Sequence, residues 1–197
     1  STASFKNTKF VRALSDAIDV DISDVVIENS EFIDSGNDSI DLMTSNAIVT
    51  NTKIFNSKDK GISIGERSNL LAINNMIQNS EIGMQSKDTS KAYIFNTSFI
   101  GNKKAVDAYH KNWQYAEGGT ISLENSIFEN NIVNATVGKK SKVIINNGVI
   151  DTPDNFDARS IEKGKIVLRN GNSIESDFDL DFFKNANTLP NNFITVP

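Results

Sequence analysis

Ile27-Glu28-Asn29-Ser30-Glu31-Phe32 is followed, 22 residues on, by Val49-Thr50-Asn51-Thr52-Lys53-Ile54. Both read apolar, any, Asn, any, any, apolar. The form extends upstream to Phe5-Lys6-Asn7-Thr8-Lys9-Phe10. Downstream stand Ala72-Ile73-Asn74-Asn75-Met76-Ile77, Ile94-Phe95-Asn96-Thr97-Ser98-Phe99, Leu123-Glu124-Asn125-Ser126-Ile127-Phe128 and Ile144-Ile145-Asn146-Asn147-Gly148-Val149. A degraded eighth copy sits at Leu168-Arg169-Asn170. The asparagines at 7, 29, 51, 74, 96, 125, 146 and 170 are separated by 22, 22, 23, 22, 29, 21 and 24 residues.

A second stretch follows each Asn by about eleven residues. It reads Ala17-Ile18-Asp19-Val20, Ser39-Ile40-Asp41-Leu42, Gly61-Ile62-Ser63-Ile64, Gly83-Met84-Gln85 and Ala105-Val106-Asp107-Ala108. Period-2 alternation of apolar and polar residues means strand. Each repeat of about 22 residues therefore holds two or three short strands between Asn, Ser, Gly and Asp turns. A propeller blade needs ~40–50 residues, and a leucine-rich repeat sets its Asn in a Leu-rich core. The repeat predicts an all-β chain: a right-handed parallel β-helix of about seven coils over residues 1–176, with a C-terminal cap over 177–197.

Stacking at roughly 4.8 Å per coil aligns equivalent residues. Phe10, Phe32, Ile54, Ile77, Phe99, Phe128 and Val149 are expected to form one inner column. Ile18, Ile40, Ile62, Met84 and Val106 form another. Asn7, Asn29, Asn51, Asn74, Asn96, Asn125 and Asn146 fall at a turn, where Asn tolerates left-handed backbone, and their amides are expected to stack as a ladder. Nothing like a cap precedes Phe5, so the chain reads as a fragment, or as one whose N-terminal coil is covered.

The strings Asp38-Ser39-Ile40-Asp41-Leu42, Asp59-Lys60-Gly61-Ile62-Ser63-Ile64-Gly65 and Lys91-Ala92-Tyr93-Ile94-Phe95-Asn96 resemble bacterial right-handed β-helix repeat proteins of the pectate-lyase-like superfamily. They are particularly similar to β-helix segments found beside spore-coat-protein-H-like domains in large secreted proteins. The resemblance implies an extracellular or cell-surface setting, flanking domains and an interest in carbohydrate. The superfamily holds lyases, epimerases, hydrolases, tailspikes and adhesins, so activity does not follow from it. Pectate lyases as a family use an Arg or Lys base beside an acidic Ca²⁺ cluster. Lys60 and Arg67 lie near the acidic residues here, but the motif around that base is not matched.

Formal net charge is -5, which argues against a nucleic-acid binder needing a basic face. There is no Cys, hence no disulfide, thiolate ligand or thiol nucleophile. No apolar run reaches the ~18 residues of a membrane helix. Chemistry, if present, falls on an acidic column: Asp19, Asp41 and Asp107 share one repeat position. His110, the lone histidine, follows it and is a candidate general base. Asp16 and Asp38, a neighbouring pair, are candidate Ca²⁺ ligands, as are the alternating Asp177, Asp179 and Asp181. The 29-residue interval marks an insertion, Lys111 to Gly119, carrying the only Trp. Long loops in repeat arrays often carry function. Trp113, Tyr115 and neighbouring Tyr109 are candidate sugar-stacking rings. The expected role is a non-catalytic scaffold or carbohydrate-binding module. The alternatives are a lyase- or hydrolase-like enzyme on an acidic glycan and an adhesin- or tailspike-like interaction module.

Overall fold

The computed structural model describes residues 1–170. The alternating stretches form strands, and the Asn, Ser and Gly positions between them turn the chain. The first coil comprises β1 (Thr2–Lys6), β2 (Lys9–Val11) and β3 (Ile18–Asp21). The second comprises β4 (Asp24–Glu28), β5 (Glu31–Ile33) and β6 (Ile40–Met43); the third, β7 (Asn46–Thr50), β8 (Lys53–Phe55) and β9 (Lys60–Gly65). Then come β10 (Asn69–Ile73), β11 (Met76–Gln78) and β12 (Ile82–Lys87), followed by β13 (Lys91–Phe95), β14 (Ser98–Ile100) and β15 (Lys104–Tyr109). The sixth coil holds β16 (Thr120–Glu124), β17 (Ile127–Glu129) and β18 (Val133–Val137). The seventh holds β19 (Lys142–Asn146) and β20 (Val149–Ile150). After α1 (Ala158–Glu162), β21 (Ile166–Arg169) opens the eighth at the degraded copy.

Equivalent strands pair in parallel into three sheets. Sheet A has eight strands, from β1 to β21; sheet B has seven, from β2 to β20; sheet C has six, from β3 to β18. Phe156 bridges to Ala135 and extends sheet C by one residue. Asp157 caps α1 by accepting from the Arg159 backbone N–H.

The apolar core runs down the axis. Phe10 pairs with Phe32, Ile54, Ile77, Phe99 and Phe128 in sequence along sheet B. Phe10 and Phe32 stack with centroids 4.7 Å apart, and Phe99 and Phe128 at 5.4 Å. Ile18, Ile40, Ile62, Met84 and Val106 line sheet C as expected. Sheet A adds Phe5, Ile27, Val49, Ala72, Ile94, Leu123 and Ile145, a third column that the sequence reading left out.

The seventh coil differs from expectation by one residue. Val149 pairs with Ile127 and is 64% exposed, while Ile150 stacks on Phe128. Likewise Asn147, not Asn146, takes the left-handed turn, with φ 51°. Asn146 pairs with Glu124 and donates to its Oε2 at 2.6 Å. Tandem Ile144-Ile145 and Asn146-Asn147 fit the motif in two registers. Only one of them turns Ile145 and Ile150 inward, and a single-residue slip inverts every side chain.

Three corners repeat one device: a left-handed residue, then an inward polar side chain. At the corner from sheet A to sheet B, Asn7, Asn29, Asn51, Asn74, Asn96 and Asn125 have φ between 47° and 55°. The amides of this exposed column touch mid-array, Asn74 donating to Asn51 at 3.4 Å and Asn96 to Asn74 at 3.3 Å. The better-formed ladder is one residue later and buried. Thr8 N–H donates to Ser30 Oγ at 3.2 Å and Thr52 N–H to Asn75 Oδ1 at 2.9 Å. From sheet B to sheet C, Asp34, Asn56, Asn79, Gly101 and Asn130 are left-handed. There Ser80 N–H donates to Asn102 Oδ1 at 3.0 Å, and Asn102 N–H to Asn131 Oδ1 at 2.9 Å. From sheet C to sheet A, Ser23 N–H donates to Ser45 Oγ, Ser45 N–H to Ser68 and Ser68 N–H to Ser90. Each side chain thus satisfies a backbone donor that the turn would otherwise bury unpaired.

Asn102→Ala removes an acceptor for Ser80 N–H and donors to Ile77 and Asn131. It is expected to cost about 3 kcal/mol in urea denaturation. Asn29→Gly, at an exposed left-handed turn, is expected to cost under about 0.5 kcal/mol.

Candidate functional site

The outer face of sheet C carries the acidic column in one register. Asp19, Asp41, Ser63, Gln85, Asp107 and Thr136 pair in order. Its character changes along the axis. Asp19 is exposed and Asp41 half-buried, whereas Ser63, Gln85 and Asp107 are buried. The Asp19 carboxyl is raised above its ordinary range, by partial desolvation first and then by the charges of Asp21, Asp41 and Asp16.

Asp107 is committed at both oxygens. Oδ2 accepts from Gln85 Nε2 at 2.7 Å, and Oδ1 accepts a short bond from the Thr136 hydroxyl. Gln85 Oε1 is buried without a partner among the described residues. Lys87 lies along this face, 8% exposed, with Nζ 3.4 Å from Ser63 Oγ. Gly65 makes room for it: a Cβ there would stand 2.5 Å from Lys87 Cε. Tyr109 pairs with Lys87 in register. Its phenol is raised by burial first; Lys60 opposes, while Asp88, Asp107 and Glu66 add to the rise.

Asp16 and Asp38, the candidate metal pair, act as turn acceptors. Asp16 Oδ1 receives the Asp38 backbone N–H at 2.8 Å and Asn37 Nδ2 at 2.8 Å. Asp38 Oδ1 receives the Lys60 backbone N–H at 2.9 Å and Lys60 Nζ at 3.4 Å. Burial pushes Asp38 up to about 6, against the Lys60 charge and backbone bond and with help from Asp41 and Asp59. Burial alone would push Lys60 down, but bonds and charges from Asp59 and Asp38 outweigh it and hold its ammonium above the usual value. Among the described residues no three His, Asp or Glu side chains gather as a metal site. Asp177, Asp179 and Asp181, and the cap expected over 177–197, lie outside the described residues.

The insertion leaves β15 at Tyr109 and returns at Gly119, whose N–H donates to the Tyr109 carbonyl at 3.0 Å. Asp88, wholly buried, accepts from the backbone of Lys111 at 2.8 Å and Asn112 at 2.9 Å. His110 Nε2 lies 2.9 Å from the Tyr115 carbonyl and therefore donates to it. Thr89 N–H donates to the carbonyls of Glu117 and Gly118, and Lys140 Nζ donates to Ala116 at 2.9 Å. The two glycines are steric necessities: a Cβ at Gly118 would meet Ser141 Oγ at 2.0 Å, and one at Gly119 would meet Ser86 O at 1.9 Å.

Within this braced loop the two aromatic candidates part company. Tyr115 lies under the Arg67 guanidinium, 5.4 Å from its centroid. Trp113 is 84% exposed. The loop stands at the corner between sheets C and A, so His110 and Trp113 are gathered by the coil that bears Asp107. Asp19 and Asp41 lie toward the first coils. Lys87 and Asp88 went unremarked in the sequence. The available signal was the lengthening of this corner from one left-handed residue, Ile22 or Thr44, to two, Glu66-Arg67 and then Asp88-Thr89, the latter at 53° and 65°.

Parallel strands wound in three sheets around one axial core define a parallel β-solenoid. The chain belongs to the right-handed β-helix family, whose model, described as the right handed beta helix region, matches residues 1–150. A search of curated proteins finds no match. No helix among the described residues is long and apolar enough to cross a membrane.

Asp88→Ala frees the loop backbone. Trp113 is the sole Trp, so its fluorescence anisotropy is expected to fall and cleavage between 110 and 119 to quicken, with far-UV dichroism unchanged. The second prediction concerns Asp38. Its folded pKa, about 6, exceeds the unfolded value of ~3.9, so the folded state binds the proton more tightly. Stability from this group is present below pH ~4 and is lost as pH rises to about 6. The stability of the wild type relative to Asp38→Asn is expected to fall by roughly 2–3 kcal/mol across that window in parallel urea titrations.

Proposed function

We propose that this β-helix is a non-catalytic glycan-binding module of a larger secreted or cell-surface protein. The observation that carries the reading is Trp113: an indole 84% exposed, presented by a loop that the solenoid braces at both ends. A bare aromatic on a held loop gains little for folding. Its flat apolar face and polar edge suit a sugar ring. Nearby, half-buried Tyr109 and, toward the first coils, Asp41 and Asp19 supply hydrogen-bonding groups on the same side of the solenoid. The committed oxygens of Asp107 and the turn roles of Asp16 and Asp38 favour binding over acid–base chemistry.

The test is a glycan-array screen of the full chain with Ca²⁺ and with EDTA. Binding is expected, and Trp113→Ala is expected to weaken it about tenfold or more. No binding in either condition, or binding untouched by Trp113→Ala, overturns the reading. Turnover of any polysaccharide that Asp41→Ala abolishes replaces it with the enzymatic one.

A further inference from the structure

The strands of sheet A share a polar first row. Asp24, Asn46, Asn69, Lys91, Thr120 and Lys142 pair in order along it. In the early coils the row closes on itself: Asn46 Nδ2 donates to Asp24 Oδ1 at 2.8 Å, and Asn69 Nδ2 to Asn46 Oδ1 at 3.2 Å. From the fifth coil it turns basic. Thr120, where the insertion returns to β16, stands between Lys91 and Lys142 in register. At roughly 4.8 Å per coil, those two lysines flank the foot of the loop. Lys139 is exposed at the corner just before Lys142, and Lys111 is exposed within the loop itself. Elsewhere the solenoid pairs its lysines with carboxylates: Lys6 with Glu28, Lys9 with Glu31, Lys103 with Glu81, and Lys60 with Asp38 and Asp59. Among the described residues, Lys91, Lys111, Lys139 and Lys142 make no ion pair. The loop offers one carboxylate, Glu117, and Glu124 on β16 is taken by the amides of Asn146 and Asn147. The net charge of -5 hides this segregation, because residues 1–43 hold nine acidic side chains and three basic ones.

We infer that the ligand of the Trp113 loop is an anionic glycan, whose carboxylate or sulfate groups are held directly by Lys91, Lys139 and Lys142 without a bridging cation. The inference rests on the glycan-binding reading and gives that site its ligand class. Trp113 supplies a face for the sugar ring, and the free ammonium groups beside the loop's foot supply the charge. Each ammonium carries three donors on a flexible stem, which suits acid groups placed at varied angles around a ring. Lys140 has a different task, its Nζ being spent on the Ala116 carbonyl that holds the loop. A single-stranded nucleic acid also uses aromatic and basic groups, but it needs stacking rings in succession along a continuous basic groove. Here one indole is bare, and the acidic first coils close off any longer basic track.

The test measures binding of the full 197-residue chain, in EDTA, to polymers of one backbone: dextran, carboxymethyl-dextran and dextran sulfate. The two charged polymers are expected to bind at least about tenfold more tightly than dextran, and the gap is expected to narrow as salt is raised. Lys91→Ala, Lys139→Ala and Lys142→Ala together are expected to bring the charged polymers down to the dextran level, with far-UV dichroism retained. Lys91→Arg, Lys139→Arg and Lys142→Arg together are expected to keep them bound. Lys6→Ala with Lys9→Ala, in the first coil, is expected to change nothing. Charged and neutral polymers bound alike overturn the inference and leave the glycan reading standing, and so does charged-polymer binding untouched by the triple alanine variant. Charged-polymer binding that appears only when Ca²⁺ replaces EDTA overturns direct capture. Charged-polymer binding that Trp113→Ala leaves unchanged overturns the glycan reading and this inference with it. A single-stranded oligonucleotide bound as tightly as dextran sulfate assigns the lysines to nucleic acid and overturns the inference as well.

Discussion

Every coil must turn three times without burying an unpaired backbone N–H, and the rest of the structure depends on how this is met. A residue with positive φ turns the chain, and the next side chain points inward to accept the N–H of the coil before. Short polar side chains alone fit: Ser, Thr or Asn reach a backbone donor one coil away at hydrogen-bond distance. Once the corners are fixed, the register of all three sheets follows. Apolar residues then fall in axial columns, where each large side chain contributes ~1.5–3 kcal/mol by leaving water.

The fold was legible because its period survives in the sequence. The Asn column advertised one corner, and alternation advertised sheet C. The other two corners were harder to see because Arg12, Asp34, Asn56 and Asn79 share a backbone conformation but not a residue type. The internal ladders were hidden for a different reason: Ser30, Ser45 and Ser80 look like ordinary turn residues until their coil-to-coil bonds are seen. The seventh coil failed locally, since a doubled Ile and a doubled Asn leave the register open to pattern alone.

The site was less legible, for reasons of burial and partnership. Sequence spacing put Asp19, Asp41 and Asp107 in one column, and the register agrees. Spacing carries no information on what each carboxylate holds: Asp107 is bound to Gln85 and Thr136, and Asp38 to the backbone of Lys60. Nor could it separate Trp113 from Tyr115. The difference arises from Arg67, which reaches one ring from two coils earlier and leaves the other bare.

The insertion also interrupts the solenoid's own stitching. Of the three corners, that from sheet B to sheet C is laddered across the fifth and sixth coils by Asn102 and Asn131. The ladder from sheet C to sheet A runs Ser23, Ser45, Ser68, Ser90 and meets Gly119, which has no side chain to continue it. The loop makes up the loss by bonding backward to Asp88 and Thr89 and forward to Lys140. It is a splint across a seam. Trp113 therefore rides on a loop tied to the coils on both sides of it, while all three sheets run unbroken past the insertion.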